Sequence, residues 1–168
     1  MILDAASALG RENGKWDSVY LDSNKLIFSK NNAQVTISKT DLDQIESDSE
    51  LLALKSAKLE KRAEINSKRE TDANKNVTLN SVEYDNNESS RFAVLAAIVN
   101  GQIIGNGFTI DWIAVDDSKN TLTLSDLIQL GQSMIARKEA AIYNANTHKI
   151  TVKSLKDLKQ VKDYDFSD

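Results

Sequence analysis

Few side chains in this sequence have types and spacings that could act on a substrate. His148 is the single histidine. It falls near the expected end of a long helix, where the backbone dipole favours a cation, so capping is the reading its position supports over base catalysis. A Ser/His/Asp relay would need a carboxylate to orient that histidine, and no Gly-x-Ser-x-Gly segment supplies a nucleophile elbow. Asp111, Asp116 and Asp117 are close in sequence, but DDSKNTLTL lacks the alternating oxygen ligands and central glycine of a calcium loop. Turn formation is its expected role. Two carboxylates brought together by folding leave no local motif, so a sugar hydrolase stays as a minor alternative. The glycines of GQIIGNG have neither the order nor the following helix of a phosphate-binding loop and read as loop glycines. With no cysteine there are no disulfides, zinc–thiolate sites or thiol catalysis. These residues predict a non-enzymatic chain with no cofactor and no metal.

Aromatic side chains offer a second kind of chemistry. Trp16, Tyr20 and Trp112 form a candidate interaction surface, and the tryptophans could stack on sugar rings. An isolated tryptophan is more commonly core. Charged residues make up 27% of the chain with a formal net charge of −4, which gives no basic footprint for nucleic acid or an anionic membrane. No apolar run approaches the roughly 20 residues of a membrane span. The opening MILDAASALGREN lacks the basic region and apolar core of a signal peptide, so a soluble, unsecreted chain is expected.

The elements that must position these residues centre on 107–146. Phe108, Ile110, Trp112 and Ala114 alternate at the two-residue period of a half-buried strand. Asp116 to Asn120 form a polar turn, and Thr121 to Leu124 return as a second strand, giving a hairpin. Ser125 is then the expected N-cap of a long helix, with Asp126 at its positive end. Leu127, Leu130, Met134, Ile135, Ala141, Ile142 and Ala145 recur at three- and four-residue steps and predict one apolar face for the hairpin to cover. The β-branched run Ile150 to Val152 marks a break, after which Ser154 caps a short helix bearing Leu155, Leu158 and Val161. Tyr164 and Phe166 are candidate aromatic plugs.

Upstream, residues 1–14 read as a loose arm or a short helix ending at Gly10. Trp16–Leu21, Lys25–Ser29 and Gln34–Ser38 read as a three-stranded meander whose apolar face holds Trp16, Tyr20, Leu26, Phe28, Val35 and Ile37. Asp41–Ser49 is a polar linker with a short helical turn, and a helix from Glu50 to Glu70 follows, its second half a solvated face of mixed charge. Val77 and Leu79 pair with Val82 and Tyr84 across Asn80–Ser81, a two-residue hairpin turn. The helix from Ser90 to Asn100 is apolar nearly all round, which predicts that it is buried. The expected class is α+β. It comprises a small N-terminal antiparallel meander and attachment region (1–45), a charged connecting helix (46–74) and a C-terminal domain of β-hairpins packed on two main helices (75–168).

Over about residues 75–165 the chain resembles a small domain of unknown function that recurs in bacteriophage tail-fibre and tail-associated proteins. The resemblance is carried by NVTLNSVEYDNNESSRF with its Tyr84–Asp85 and Ser90–Arg91, by DWIAVDDS, by LTLSDLIQLGQ, and by HKITVKSLKDLKQV. None of these residues is established as catalytic in that family. The resemblance implies a structural or interaction protein of a phage or prophage tail, at the tail tip or fibre, or a chaperone of fibre assembly. Its implied partners are other tail proteins, copies of itself (a trimer is common among fibre proteins) and a host-surface glycan. Its implied location is the virion tail, or the host cytoplasm during assembly. A carbohydrate-binding module for the host receptor is the alternative, and an unrelated bacterial interaction domain a further one.

Overall fold

A computed structural model describes residues 3, 6, 15–22, 25–31, 33–35 and 37–167, with the side chains of 21, 22, 25, 26 and 33 left out. The expected N-terminal arm falls largely outside the described residues. The elements run β1 (Ser18–Asp22), β2 (Lys25–Lys30), β3 (Ala33–Val35), α1 (Lys39–Ala73), β4 (Val77–Leu79), β5 (Val82–Tyr84), α2 (Glu88–Ile104), β6 (Thr109–Ile113), β7 (Lys119–Thr123), α3 (Leu124–Ser154) and α4 (Leu158–Lys162). The mixed α and β class expected from the sequence is observed. The chain forms two compact units, Met1–Lys61 with Val152–Asp168, and Arg62–Thr151, so α1 and α3 each contribute to both.

In the first unit β1, β2 and β3 form an antiparallel meander in which Phe28 stands opposite both Val19 and Val35. Side chains alternate across a sheet, so this register turns Val19, Phe28 and Val35 to one face and Tyr20 to the other. Trp16, Phe28 and Ile45 of α1 are buried together, with Val19, Val35 and Ile37 packed around them. The side chain of Leu26 lies outside the described residues. Helix α1 begins well before the expected Glu50 because two local features favour it. Ser38 and Asp41 hydrogen-bond reciprocally at its start, and Ile45 has a core to enter. Asp41 also pairs with Lys15, and the Lys15 and Ser38 bonds hold its carboxyl below the usual range.

The second unit is built from hairpins that cannot cover themselves. Two short strands are marginal in water until something packs on them. β4 and β5 meet across Asn80–Ser81, both at positive φ (51° and 65°), as a two-residue turn matched to strand twist requires. β6 and β7 pair from Thr109 opposite Thr123 to Ile113 opposite Lys119. The amide of Val115, just past β6, donates to Glu83 O of β5 at 3.0 Å. Val77, Leu79 and Tyr84 from one hairpin and Leu122 and Ala114 from the other are buried with Val94 and Ala97 of α2 and Leu127, Leu130 and Met134 of α3. Each such Leu or Met contributes roughly 1.5–3 kcal/mol by leaving water.

Helix ends differ from expectation in instructive ways. Thr123, not Ser125, caps α3. Its hydroxyl accepts from the Asp126 amide at 3.2 Å, and Asp126 accepts from the Thr123 amide at 2.9 Å. This reciprocal box satisfies donors at both ends of the first turn, which a lone Ser125 cap would not. Helix α3 runs through the β-branched Ile150–Val152 to Ser154, because Val152 is fully buried and tertiary packing overrides propensity. Asp157, not Ser154, caps α4 by accepting from the Gln160 amide. Gly101 is not a loop glycine. It lies inside α2, where a Cβ would stand 2.7 Å from Phe108 Cδ1, so its missing side chain lets strand and helix approach.

Helix α2 is the main departure from expectation. It was expected to be buried, yet only Val94, Ala97 and Gly101 are, while Phe92, Leu95, Val99, Ile103 and Ile104 are exposed. One hairpin and one neighbouring helix can cover a single stripe of a helix, and the rest of its apolar circumference faces outward.

Two outcomes follow. Ser81→Gly removes the penalty of a side chain at positive φ and is expected to stabilise the protein by about 0.5–1 kcal/mol in denaturant titration. The Thr123 hydroxyl and amide hold the Asp126 carboxyl below its ordinary range. A depressed carboxyl adds stability above its unfolded pKa and loses it as pH falls through the folded value. Asp126→Ala is therefore expected to be about 1 kcal/mol less stable than the parent at pH 7, with the gap narrowing below about pH 4.

Candidate functional site

A groove opens between α2 and α3 in the second unit, with a cavity volume of about 380 Å3. Phe92, Leu95 and Ile98 line it from α2, and Ile128, Gly131 and Ile135 from α3. The two helices run antiparallel, with Gly101 near Leu124 at one end and Val94 and Ile98 over Gly131. A Cβ at Gly131 would lie 3.3 Å from Ile98 Cδ1, so this glycine sets how closely the walls approach. Glu88, Arg91 and Lys138 edge the groove at its other end, beside Phe92 and Ile135. The chemistry on offer is apolar contact over a long surface with charges at one end.

A polar anchor holds that end in place. Asn86 is fully buried, and its side-chain amide donates to Ala73 O at 2.9 Å and Lys75 O at 3.2 Å, carbonyls at and just past the end of α1. Arg91 donates to Asn86 O and to Asn74 Oδ1. Asn87 caps α2 by accepting from the Ser90 amide. Together these bonds fix the first turn of α2, and with it Phe92, against the turn that follows α1. The pairs Tyr84–Asp85 and Ser90–Arg91 flank this anchor.

The other sequence-predicted residues do not assemble into a reaction centre. Asp111 lies on an exposed face of β6, where it accepts from Lys119 at 2.9 Å and Thr121 at 2.8 Å. The Lys119 ammonium and the Thr121 hydroxyl lower its pKa. Asp116 accepts from the Ser118 amide, and the Ser118 hydroxyl and amide lower its pKa as well. Both shifts run opposite to what a general acid of glycoside hydrolysis needs. Asp117 occupies the turn at positive φ. His148 is half-buried more than one turn before the end of α3, not at its terminus. Among the described residues no group of three or more His, Asp or Glu side chains is placed to hold a metal ion. Nor does any helix among the described residues have the length and apolarity to cross a membrane.

The three aromatic residues meet different fates. Trp16 is core. It is 3% exposed, stands edge-on to Phe28 with ring centroids 4.9 Å apart, and donates its indole N–H to Ala6 O at 2.8 Å. Its ring is therefore no stacking platform, which corrects its place in the candidate surface. Trp112 is half-buried against the core of the second unit, and Tyr20 is exposed. Phe166 lies under the Lys61 ammonium, 5.5 Å from ring centroid to nitrogen.

Sequence reasoning assigned Phe92, Leu95, Ile135 and Ile142 to the core, whereas they lie on or beside the groove. The available signal was an excess. Helix α2 carries more apolar residues than one stripe can use, and Ile128, Ile135 and Ile142 repeat at seven residues instead of following the buried set. Because Asn86 is fully buried and tied to two backbone carbonyls, Asn86→Ala is expected to cost about 1–3 kcal/mol in thermal or denaturant unfolding by removing the donor to Lys75 O and leaving Ala73 O with the Arg91 guanidinium alone.

No curated protein and no solved structure matches the chain. A family described as a domain of unknown function (DUF4376) matches residues 56–168, which spans β4 through α4 and the latter part of α1. The match covers more than half of the sequence, and the chain belongs to this family.

Proposed function

We propose that the chain is a non-enzymatic structural or interaction protein of a bacteriophage or prophage tail, at the tail tip or fibre or assisting fibre assembly. The observation that carries the interaction reading is the uncovered apolar surface of α2 and α3. Contiguous exposed patches beyond a few hundred Å2 mark contact sites with other macromolecules. Phe92 is 64% and Ile103 79% exposed, too much apolar surface on one helix to be incidental.

The tail assignment draws on the resemblance of DWIAVDDS and LTLSDLIQLGQ, whose residues do structural work in this fold. Trp112 packs on the core, and Ala114, Leu122, Leu127 and Leu130 belong to it. Asp116 closes the turn, Asp126 completes the α3 cap, and Gly131 sets the approach of α2. Most of these residues are scaffold, while Ile128 and Gln132 of the second segment line the groove between α2 and α3. In this reading the chain works in the virion tail, or in the host cytoplasm during assembly.

An affinity-tagged chain expressed in the phage-producing strain tests the proposal. Mass spectrometry is expected to find it in purified particles, or in complex with a tail protein in the induced lysate while particles lack it. The first outcome identifies a virion part and the second an assembly chaperone. Absence from particles together with no tail protein in the lysate complexes would overturn the assignment.

A further inference from the structure

Deepening the interaction reading and resting on it, we infer that the α2–α3 face binds a second copy of this chain, with the two α3 helices side by side and parallel. Three observations select that occupant. The first is spacing. Ile128, Ile135 and Ile142 recur every seven residues along α3, which supplies one apolar position per heptad of a helix–helix contact. The chain's own core uses a different row, Leu127, Leu130, Met134, Ala141 and Ala145, which leaves Ile135 57% and Ile142 46% exposed. The second is area. A large apolar side chain carries on the order of 150–250 Å2. With Phe92, Leu95 and Tyr143 also at half exposure or more, the face offers on the order of 600 Å2. That approaches the roughly 800 Å2 that each partner buries in a stable complex.

The third observation is charge. Lys138 and Glu139 stand three and four residues past Ile135, so they flank the Ile135–Ile142 line on opposite sides at nearly the same height. Side-by-side parallel helices bring the left flank of one against the right flank of the other. Each Lys138 then meets the Glu139 of the second copy, twice over, at the rim of an isoleucine seam. An unrelated partner would need its own opposite pair at that height, whereas a second copy supplies it by symmetry.

Light scattering and sedimentation equilibrium on the full chain, from about 1 to 100 μM, provide the test. The wild type is expected to show the mass of an oligomer. Ile135→Glu with Ile142→Glu is expected to give a monomer of unchanged helical circular dichroism, since neither side chain is in the core. Lys138→Glu is expected to weaken association at least tenfold, and adding Glu139→Lys in the same chain to restore it. The natural sequence has no cysteine. Ile128→Cys and Ile142→Cys, made separately, should therefore each oxidise to a self-linked dimer, which an antiparallel pair could not form at both positions. A wild type monomeric throughout, an oligomer indifferent to the double Glu variant, or failure of either cysteine to self-link would overturn the inference. A monomer that still captures a tail protein would remove self-pairing and leave the proposed function standing.

Discussion

Two hairpins and two helices in the second unit share one apolar contact, and neither hairpin could persist without it. Leu127, Leu130 and Met134 of α3 lie against residues from β4–β5, from β7 and from α2. Short two-stranded ribbons leave half their side chains unsupported, so their register and turns matter only once a helix occupies that face. The devices around this contact serve to bring α3 to it at the right height and angle. Thr123 and Asp126 fix where the helix starts, Gly101 lets Phe108 come close, and Gly131 lets α2 lie near. Asn86 and Arg91 secure the far end of α2 to the end of α1.

Much of this was legible in the sequence where the signal was local. The Asn80–Ser81 turn, the alternation through Phe108, Ile110 and Trp112, and the Leu127–Leu130–Met134 face each follow from backbone preference and periodicity within a few residues, and the fold places them accordingly. What did not read through was decided at a distance. Whether α1 begins at Lys39 or ten residues later depends on Ser38 finding Asp41 and on Ile45 meeting Trp16 and Phe28. Whether Ile150–Val152 breaks a helix depends on a buried place for Val152. Tyr20 and Trp16 shared a parity that suggested one face, but Trp16 precedes β1 and is held by Ala6, outside the strand's alternation.

The exposed faces were the least legible part of the candidate site. An isoleucine directed to a core and an isoleucine directed to another molecule have the same chemistry, and period alone separates them. Helix α2 illustrates the ambiguity. All-round apolarity is the signature of a helix enclosed by its own chain, and equally of a helix that finishes its enclosure with a partner. The stretches carrying the family resemblance supply most of the enclosed side but also place Phe92 and Ile128 at the groove, while Ile135 and Ile142 lie outside those stretches.

Helix α1 has a further consequence. Its 35 residues cross without interruption from one compact unit to the next, and α3 does the same over 31. The family match opens at residue 56, in the middle of that first rod. A fragment trimmed to the match would begin on a cut hydrogen-bond ladder, stripped of the turns that nucleate it, so the unit of inheritance and the unit of folding part company there.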